Sequence, residues 1–311
     1  MPRTFRLLAI AVGVAVLVAS CSRTPYTRRA QYNLIPDPII NSLGQSTYVS
    51  MLGEVRVASR GADSTLLDRV GQRIARVANQ PRYDWEFSLI QDDQINAWAL
   101  PGGKIGFYTG ILPVLQNEAG MAFVMGHEVG HATARHGAER MTQQLTMIGG
   151  LSALEMYLAN ESSLRPEQRG LILGALGVGL QVGVMLPFSR SHEAEADIIG
   201  MMYMANAGYP PAESIRVWGR MEEATGGSAV PAFLRTHPPN TRRQENLREW
   251  LPRARKRFER NALPHDTRVT LWGSGQGSEG ARRSGRSGGS DRSRGSDRSQ
   301  EERRGSKPRR Q

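Results

Sequence analysis

The residues with the plainest chemical meaning are His127, Glu128 and His131, an HEVGH pentad within Met121 to His136. On an α-helix His127 and His131 stand one turn apart, so both imidazoles leave the same face about 6 Å apart. That separation lets a single zinc ion take both nitrogens at about 2.0–2.1 Å. Glu128 is their neighbour on the helix, so its carboxylate addresses a water on the metal rather than the metal itself. Two neutral ligands and one general base therefore fall within five residues, the layout of metal-assisted hydrolysis.

A catalytic zinc takes three protein ligands and keeps one position for water. A metzincin pattern would place a third His six residues beyond His131, but that residue is Gly137. His136 falls one short, points off the metal face, and reads as structural. His192 and His265 show no partner pattern. Glu193 is the better third ligand, because Glu193 and Asp197 share a helical face one turn apart. Asp197 can then accept the outer N–H of a ligating His and fix its tautomer. Glu195 points about 200° away and reads as a solvated or salt-bridged surface group.

These groups need helices to hold them. Asn117 caps the pentad helix, Glu118 suits its positive end, and Met121, Val124 and Met125 recur at helical spacing. Gly126 and Gly130 weaken that helix, which implies another segment packed very close to it. Further helices are expected over about 42–59, 64–79 and 141–157, with a basic helix before Pro252. Leu171 to Leu186 is an apolar, glycine-rich run, read as a buried or partly exposed core helix; shallow contact with a bilayer surface is the alternative. Trp85 to Ile90 and Lys104 to Tyr108 read as strands, separated by a turn at Pro101-Gly102-Gly103. The second strand is expected at a sheet edge. Gly103, Lys104, Ile105, Gly106, Phe107 and Tyr108 would then offer unpaired backbone to an extended substrate.

The net charge of +11 on 311 residues resembles a nucleic-acid signal until it is located. The last 38 residues carry +6 and the first 20 carry +2, which leaves an ordinary +3 for the body. Nucleic acid is therefore not an expected partner. Residues 273–311 are dominated by Gly, Ser and Arg with scattered acidic residues, a composition that buries nothing and is expected to be disordered. Its arginines suit contact with acidic lipid or polymer, or simply a solvated tail. Arg3, Arg6 and the apolar run from Leu7 to Ala19 read as a secretory signal over residues 1–20. Cys21, the only cysteine, follows Val18-Ala19-Ser20 as in a bacterial lipobox, so lipidation there and a tether over 21–45 are expected. The catalytic domain is then 46–272.

Beyond these residues the chain resembles a known family. HEVGH followed by Ser189-Arg190 through Asp197 is similar to the HtpX/CAAX-prenyl-protease type of zinc metallopeptidase. Asn96 to Gly110 resembles the family's strand and turn before the metal helix, and Thr236 to Arg243, THPPNTRR, its distal His-Pro motif. The resemblance implies a mostly helical α+β, gluzincin-like domain with a small sheet, one zinc per chain on His127, His131 and Glu193, and supporting roles for Asp197 and Arg243. The lipobox and the lack of clear membrane spans suggest the periplasmic lipoprotein branch (LoiP- and BepA-like), on the periplasmic face of a bacterial outer membrane. The activity implied is zinc-dependent endopeptidase action on misfolded or misassembled envelope proteins, with Glu128 as base. A zinc-containing chaperone-like or assembly factor with restrained proteolysis is the alternative. His237, held by two prolines, has two candidate roles: oxyanion donor, or fourth zinc ligand in a resting state, as the resemblance suggests.

Overall fold

The HEVGH pentad lies on the most deeply buried of the described helices. The structure, a computed structural model, describes residues 21–161, 165–181, 185–224, 231–238 and 241–262. The signal segment, His265 and the basic tail lie outside the described residues. So do 239–240 within the His-Pro motif.

Ten helices and five short strands are described. They run β1 (Cys21–Arg23), β2 (Ala30–Tyr32), α1 (Asp37–Glu54), α2 (Ala62–Ala78), β3 (Glu86–Ile90), β4 (Ala97–Leu100) and β5 (Lys104–Tyr108). A 3-10 turn over Thr109–Ile111 leads into α3 (Leu112–Leu115) and α4 (Glu118–Thr133). There follow α5 (His136–Glu161), α6 (Pro166–Leu180), α7 (Leu186–Asn206), α8 (Glu213–Glu223), α9 (Ala232–Thr236) and α10 (Thr241–Asn261). The expected α+β class, mostly helical with a small sheet, is the observed one.

In α4 every residue except His131 is buried, so it is enclosed on nearly all sides, as a central helix is. Asn117 caps it as expected, its side-chain oxygen accepting from the Gly120 amide at 2.8 Å. Leu66, Leu67, Val70 and Ile74 of α2 line up at helical spacing and are buried against it. On the other side lies α7, through Ile198, Ile199 and Met202. Main chain meets main chain at this crossing. A Cβ on Gly200 would stand 2.7 Å from the His127 nitrogen, and one on Gly126 2.7 Å from the Gly200 carbonyl oxygen. The glycines implied a close neighbour, and α7 is that neighbour.

The sheet differs from expectation. Its order is β3-β5-β4, with β5 parallel to β3 and antiparallel to β4. Lys104–Tyr108 is therefore the central strand, and the Ile105 and Phe107 backbone groups face β3 rather than a cleft. The Lys104 ammonium is buried against Asp84 and Glu86 at 2.7 and 2.5 Å, not presented to substrate. The free edge is β4, which the sequence shows only as part of the spacer between two stronger strands.

Residues 21–45, expected as a tether, are built into the fold instead. β1 and β2 pair in antiparallel fashion from Cys21↔Tyr32 to Arg23↔Ala30, and α1 begins at Asp37 with Pro38 in its first turn. α5 and α6 leave much of their apolar surface exposed: no residue of α6 is buried, and Leu171 is 74% exposed. The segment expected as a buried or partly exposed core helix is thus an exposed one. Among the described residues no helix is long and apolar enough to cross a membrane.

Candidate metal centre

Four side chains from three elements converge beneath one cleft: His127 and His131 from α4, Glu193 from α7, and His237 at the end of α9. Their ligand atoms all lie within 4.8 Å of one another. His127 Nε2 is 3.1 Å from His131 Nε2, 3.2 Å from His237 Nδ1 and 3.4 Å from a Glu193 oxygen. His131 Nε2 is 3.5 Å from the other Glu193 oxygen, and His237 Nδ1 is 2.8 Å from Glu193. A tetrahedral ion with bonds of about 2.0–2.1 Å keeps its ligand atoms about 3.3–3.4 Å apart. The donor set therefore fits one metal ion.

Burial and charge fit as well. Burial works against a charged His127, yet hydrogen bonds to Asp197 and Glu193 hold its pKa up at about 9. This spot thus favours a positive charge. Burial also opposes ionisation of Glu193, but the imidazoles around it hold its carboxyl well below the usual range. His131 is pushed well below the ordinary imidazole value, chiefly by burial. Glu128 is 1% exposed and raised by burial, and its Oε1 has no hydrogen-bond partner, 3.5 Å from His237 Nε2. A buried carboxylate oxygen left unpaired within a donor cluster is a place built for something the protein does not itself supply.

Behind His127 stands a second layer. Asp197 Oδ1 accepts from His127 Nδ1 at 3.0 Å and from the Trp218 indole at 3.3 Å. Arg243 grips the same carboxylate with two bonds, of 2.6 and 2.9 Å, while its guanidinium lies 4.0 Å over the Trp218 ring. Asp197 and Arg243 thus stand together behind His127. Trp218 is an addition that no sequence pattern marks. Glu195 is a correction. It is 5% exposed rather than on the surface, and it bonds His136, Thr24, Thr27 and Arg29. His192, without a partner in the sequence, stacks on His136 at 4.2 Å and bonds Glu139 at 2.9 Å.

The cleft above holds about 390 Å³ and is walled by β4 with its flanking Asn96 and Pro101 on one side and by Glu128, His131 and His237 on its floor. β4 meets it with its unpaired side. The Tyr108 amide donates to the Asn96 carbonyl at 3.1 Å, so alternate residues Asn96, Trp98 and Leu100 face β5. Ile95, Ala97 and Ala99 face away. The Ile95 carbonyl is taken by the Phe233 amide and the Ala97 amide by the Asn96 side chain, which leaves Ala99 open along the cleft.

A buried two-histidine, one-glutamate cluster with a free carboxylate beside it, on crossed helices next to a sheet edge, defines a metallopeptidase. Residues 62–251 match the model of peptidase family M48, and the chain belongs to that family and is a metalloendopeptidase. It is 34% identical over 250 residues to mitochondrial metalloendopeptidase OMA1 of Schizosaccharomyces pombe, covering 78% of this chain and 70% of that one. The Saccharomyces cerevisiae protein of the same name is 31% identical, with 80% and 76% covered. The beta-barrel assembly-enhancing protease of Escherichia coli K12 is 31% identical over 178 residues, 55% of this chain and 35% of its own. These matches do not single out the HtpX or LoiP branch. They also correct the expected location. The two relatives that match about four fifths of the chain are mitochondrial, whereas the bacterial ones match little more than half. A lipid-anchored place on a bacterial outer membrane is therefore set aside.

Asp197 and Arg243 are both fully buried, so removing one strands the other's charge. Arg243→Met is expected to cost about 3–5 kcal/mol of stability. Urea unfolding of metal-free wild type and variant would measure it, and a loss under 1 kcal/mol would contradict the pairing argument.

Proposed function

We propose that this protein is a zinc-dependent endopeptidase of misfolded or misassembled polypeptides, with His127, His131 and Glu193 as metal ligands and Glu128 as general base. The observation that carries this reading is the unpaired Glu128 oxygen beside the four-donor cluster. Bound zinc would supply Lewis acidity, lowering the pKa of water and polarising a peptide carbonyl. Glu128 takes the proton from the attacking water and hands it to the leaving amine; burial raises its carboxyl toward that task. Asp197, clamped by Arg243, keeps the proton of His127 on Nδ1 and so points the Nε2 lone pair at the metal.

Substrate class follows from the β4 edge. An extended polypeptide laid antiparallel along Ala97 to Leu100 bonds through its main chain, whatever its side chains. Such recognition suits proteins that have lost their fold, since only they offer an extended segment. The likeness to an assembly-enhancing protease supports the same class.

His237 favours a restrained enzyme. Its Nδ1 occupies the fourth corner of the donor set, the place a water needs. Hydrolysis then requires the His237 side chain to leave that corner. This contact also favours the second reading, an assembly factor whose proteolysis is held in check.

Glu128→Gln is expected to keep stoichiometric zinc while new N-termini from an unfolded substrate fall to background. Unchanged cleavage would refute the assignment of the base. His237→Ala is expected to keep zinc and raise basal proteolysis, self-cleavage included. A fall in kcat of about a hundredfold or more would instead make His237 the oxyanion donor. Ala99→Pro removes the one open amide of β4 at a position where an edge strand tolerates proline. Its kcat/KM for extended polypeptides should drop about tenfold, a loss of about 1.4 kcal/mol in the transition state, with zinc content unchanged. Wild-type kinetics would reject the edge as the substrate platform.

A further inference from the structure

The two α4 histidines are backed differently. His127 has a carboxylate directly behind it, Asp197. Behind His131 stands another imidazole, with His136 Nδ1 3.0 Å from His131 Nδ1. Two ring nitrogens facing each other at that distance need one proton between them, and either could carry it.

The far side of His136 settles the matter. Its Nε2 lies 3.1 Å from Glu195 Oε2. The same carboxylate accepts from Arg29 Nε at 2.8 Å, from the Thr24 hydroxyl at 2.6 Å and from the Thr27 hydroxyl. With an arginine and two hydroxyls on it, Glu195 is an acceptor only. His136 must therefore donate from Nε2, which leaves a lone pair on its Nδ1. In a neutral imidazole only one of the two ring nitrogens carries a proton. His131 must then donate from Nδ1, and its Nε2, the nitrogen facing His127 and Glu193, is left with the lone pair.

We propose that His136, anchored by Glu195, is a positioning residue that holds His131 in the one tautomer able to bind the metal. The inference rests on the reading of His131 as a metal ligand. The anchor comes from outside the catalytic helices: Thr24, Thr27 and Arg29 all lie in the turn joining β1 to β2. The N-terminal strand pair is thus part of the metal site, three side chains removed from the ion. Arg29 also grips Glu139 with two bonds, of 2.9 and 2.8 Å, and Glu139 bonds His192, which stacks on His136. The ring is held in plane and along its axis.

The test uses the full chain. His136→Phe keeps the ring's bulk without an acceptor, while His136→Asn puts a carbonyl oxygen near the place of Nδ1. Zinc affinity, read by competition with a chromophoric chelator, should fall about 10–100-fold in His136→Phe. His136→Asn should recover most of that loss. In the metal-free protein, imidazole 1H–15N correlation spectra should show His131 protonated on Nδ1 in the wild type and a mixture of tautomers in His136→Phe. Wild-type affinity in His136→Phe would overturn the proposal, as would equal losses in both variants with the His131 tautomer unchanged. Should His136→Phe not fold, the wild-type spectrum decides alone, since a proton on His131 Nε2 sinks the relay. His131→Ala separates this failure from that of the metal assignment. If it keeps zinc, the ligand reading fails; if it loses zinc while His136→Phe keeps it, the relay alone fails.

Discussion

The site depends on α4 and α7 touching backbone to backbone. At Gly126 and Gly200 a side chain would run into main-chain atoms, which cannot swing aside as the end of a flexible side chain can. Each glycine costs its helix about 1 kcal/mol relative to alanine. Burial of Met125, Val129, Ile199 and Met202 around the crossing offsets this, at about 1.5–3 kcal/mol for each large side chain. The geometry then follows from helix periodicity. His127 is next to Gly126, Asp197 lies one turn before Gly200, and Glu193 one turn earlier again. Two candidate metal donors and a supporting carboxylate are set by one contact between rigid elements, which holds distances more tightly than loops do.

The same rigidity is why, in the proposed reading, recognition of substrate falls to the sheet. α4 is buried on nearly every side, so it has no surface left with which to grip a polypeptide. β4 supplies that surface because its other edge is satisfied by β5, while α9 and the Asn96 side chain close its upper end. The far edge of the sheet is blocked, as Arg56 and Ala58 bond across to Gln91 and Leu89. One open stretch remains, and it runs over the floor formed by Glu128, His131 and His237.

What could be read from the sequence is what helix periodicity encodes. HEVGH, Asp197 and the capped start of α4 each follow from spacing within one helix, and the structure places them as that spacing requires. Strand order is not encoded in that way. Lys104–Tyr108 is the stronger strand by composition, and a strong strand is satisfied by the centre of a sheet; the weak AWAL segment takes the edge. Glu195 was legible only as a group on the opposite face from Glu193. Whether that face meets water or a second element is a tertiary fact, decided here by Thr24, Thr27 and Arg29. Those three sit in a short polar stretch without periodicity, which reads as tether and folds as a strand pair.

Charge gives the last constraint on the centre. Glu128, Glu193 and Asp197 are buried carboxylates within one cluster, and among the described residues Arg243 is the arginine or lysine that pairs with them. Three negative charges against one leave a deficit of two in a place from which water is largely excluded. A proton on His127 answers part of it, since hydrogen bonds to Asp197 and Glu193 hold its pKa up against burial. A divalent ion answers all of it and at the same time replaces the short contacts among three imidazole nitrogens with bonds to a common centre. Metal binding and stability of this region are therefore one quantity seen from two sides. The Arg243 clamp belongs to the same balance: it neutralises the carboxylate that must stay charged to hold His127, and leaves Glu193 and Glu128 for the ion and its chemistry.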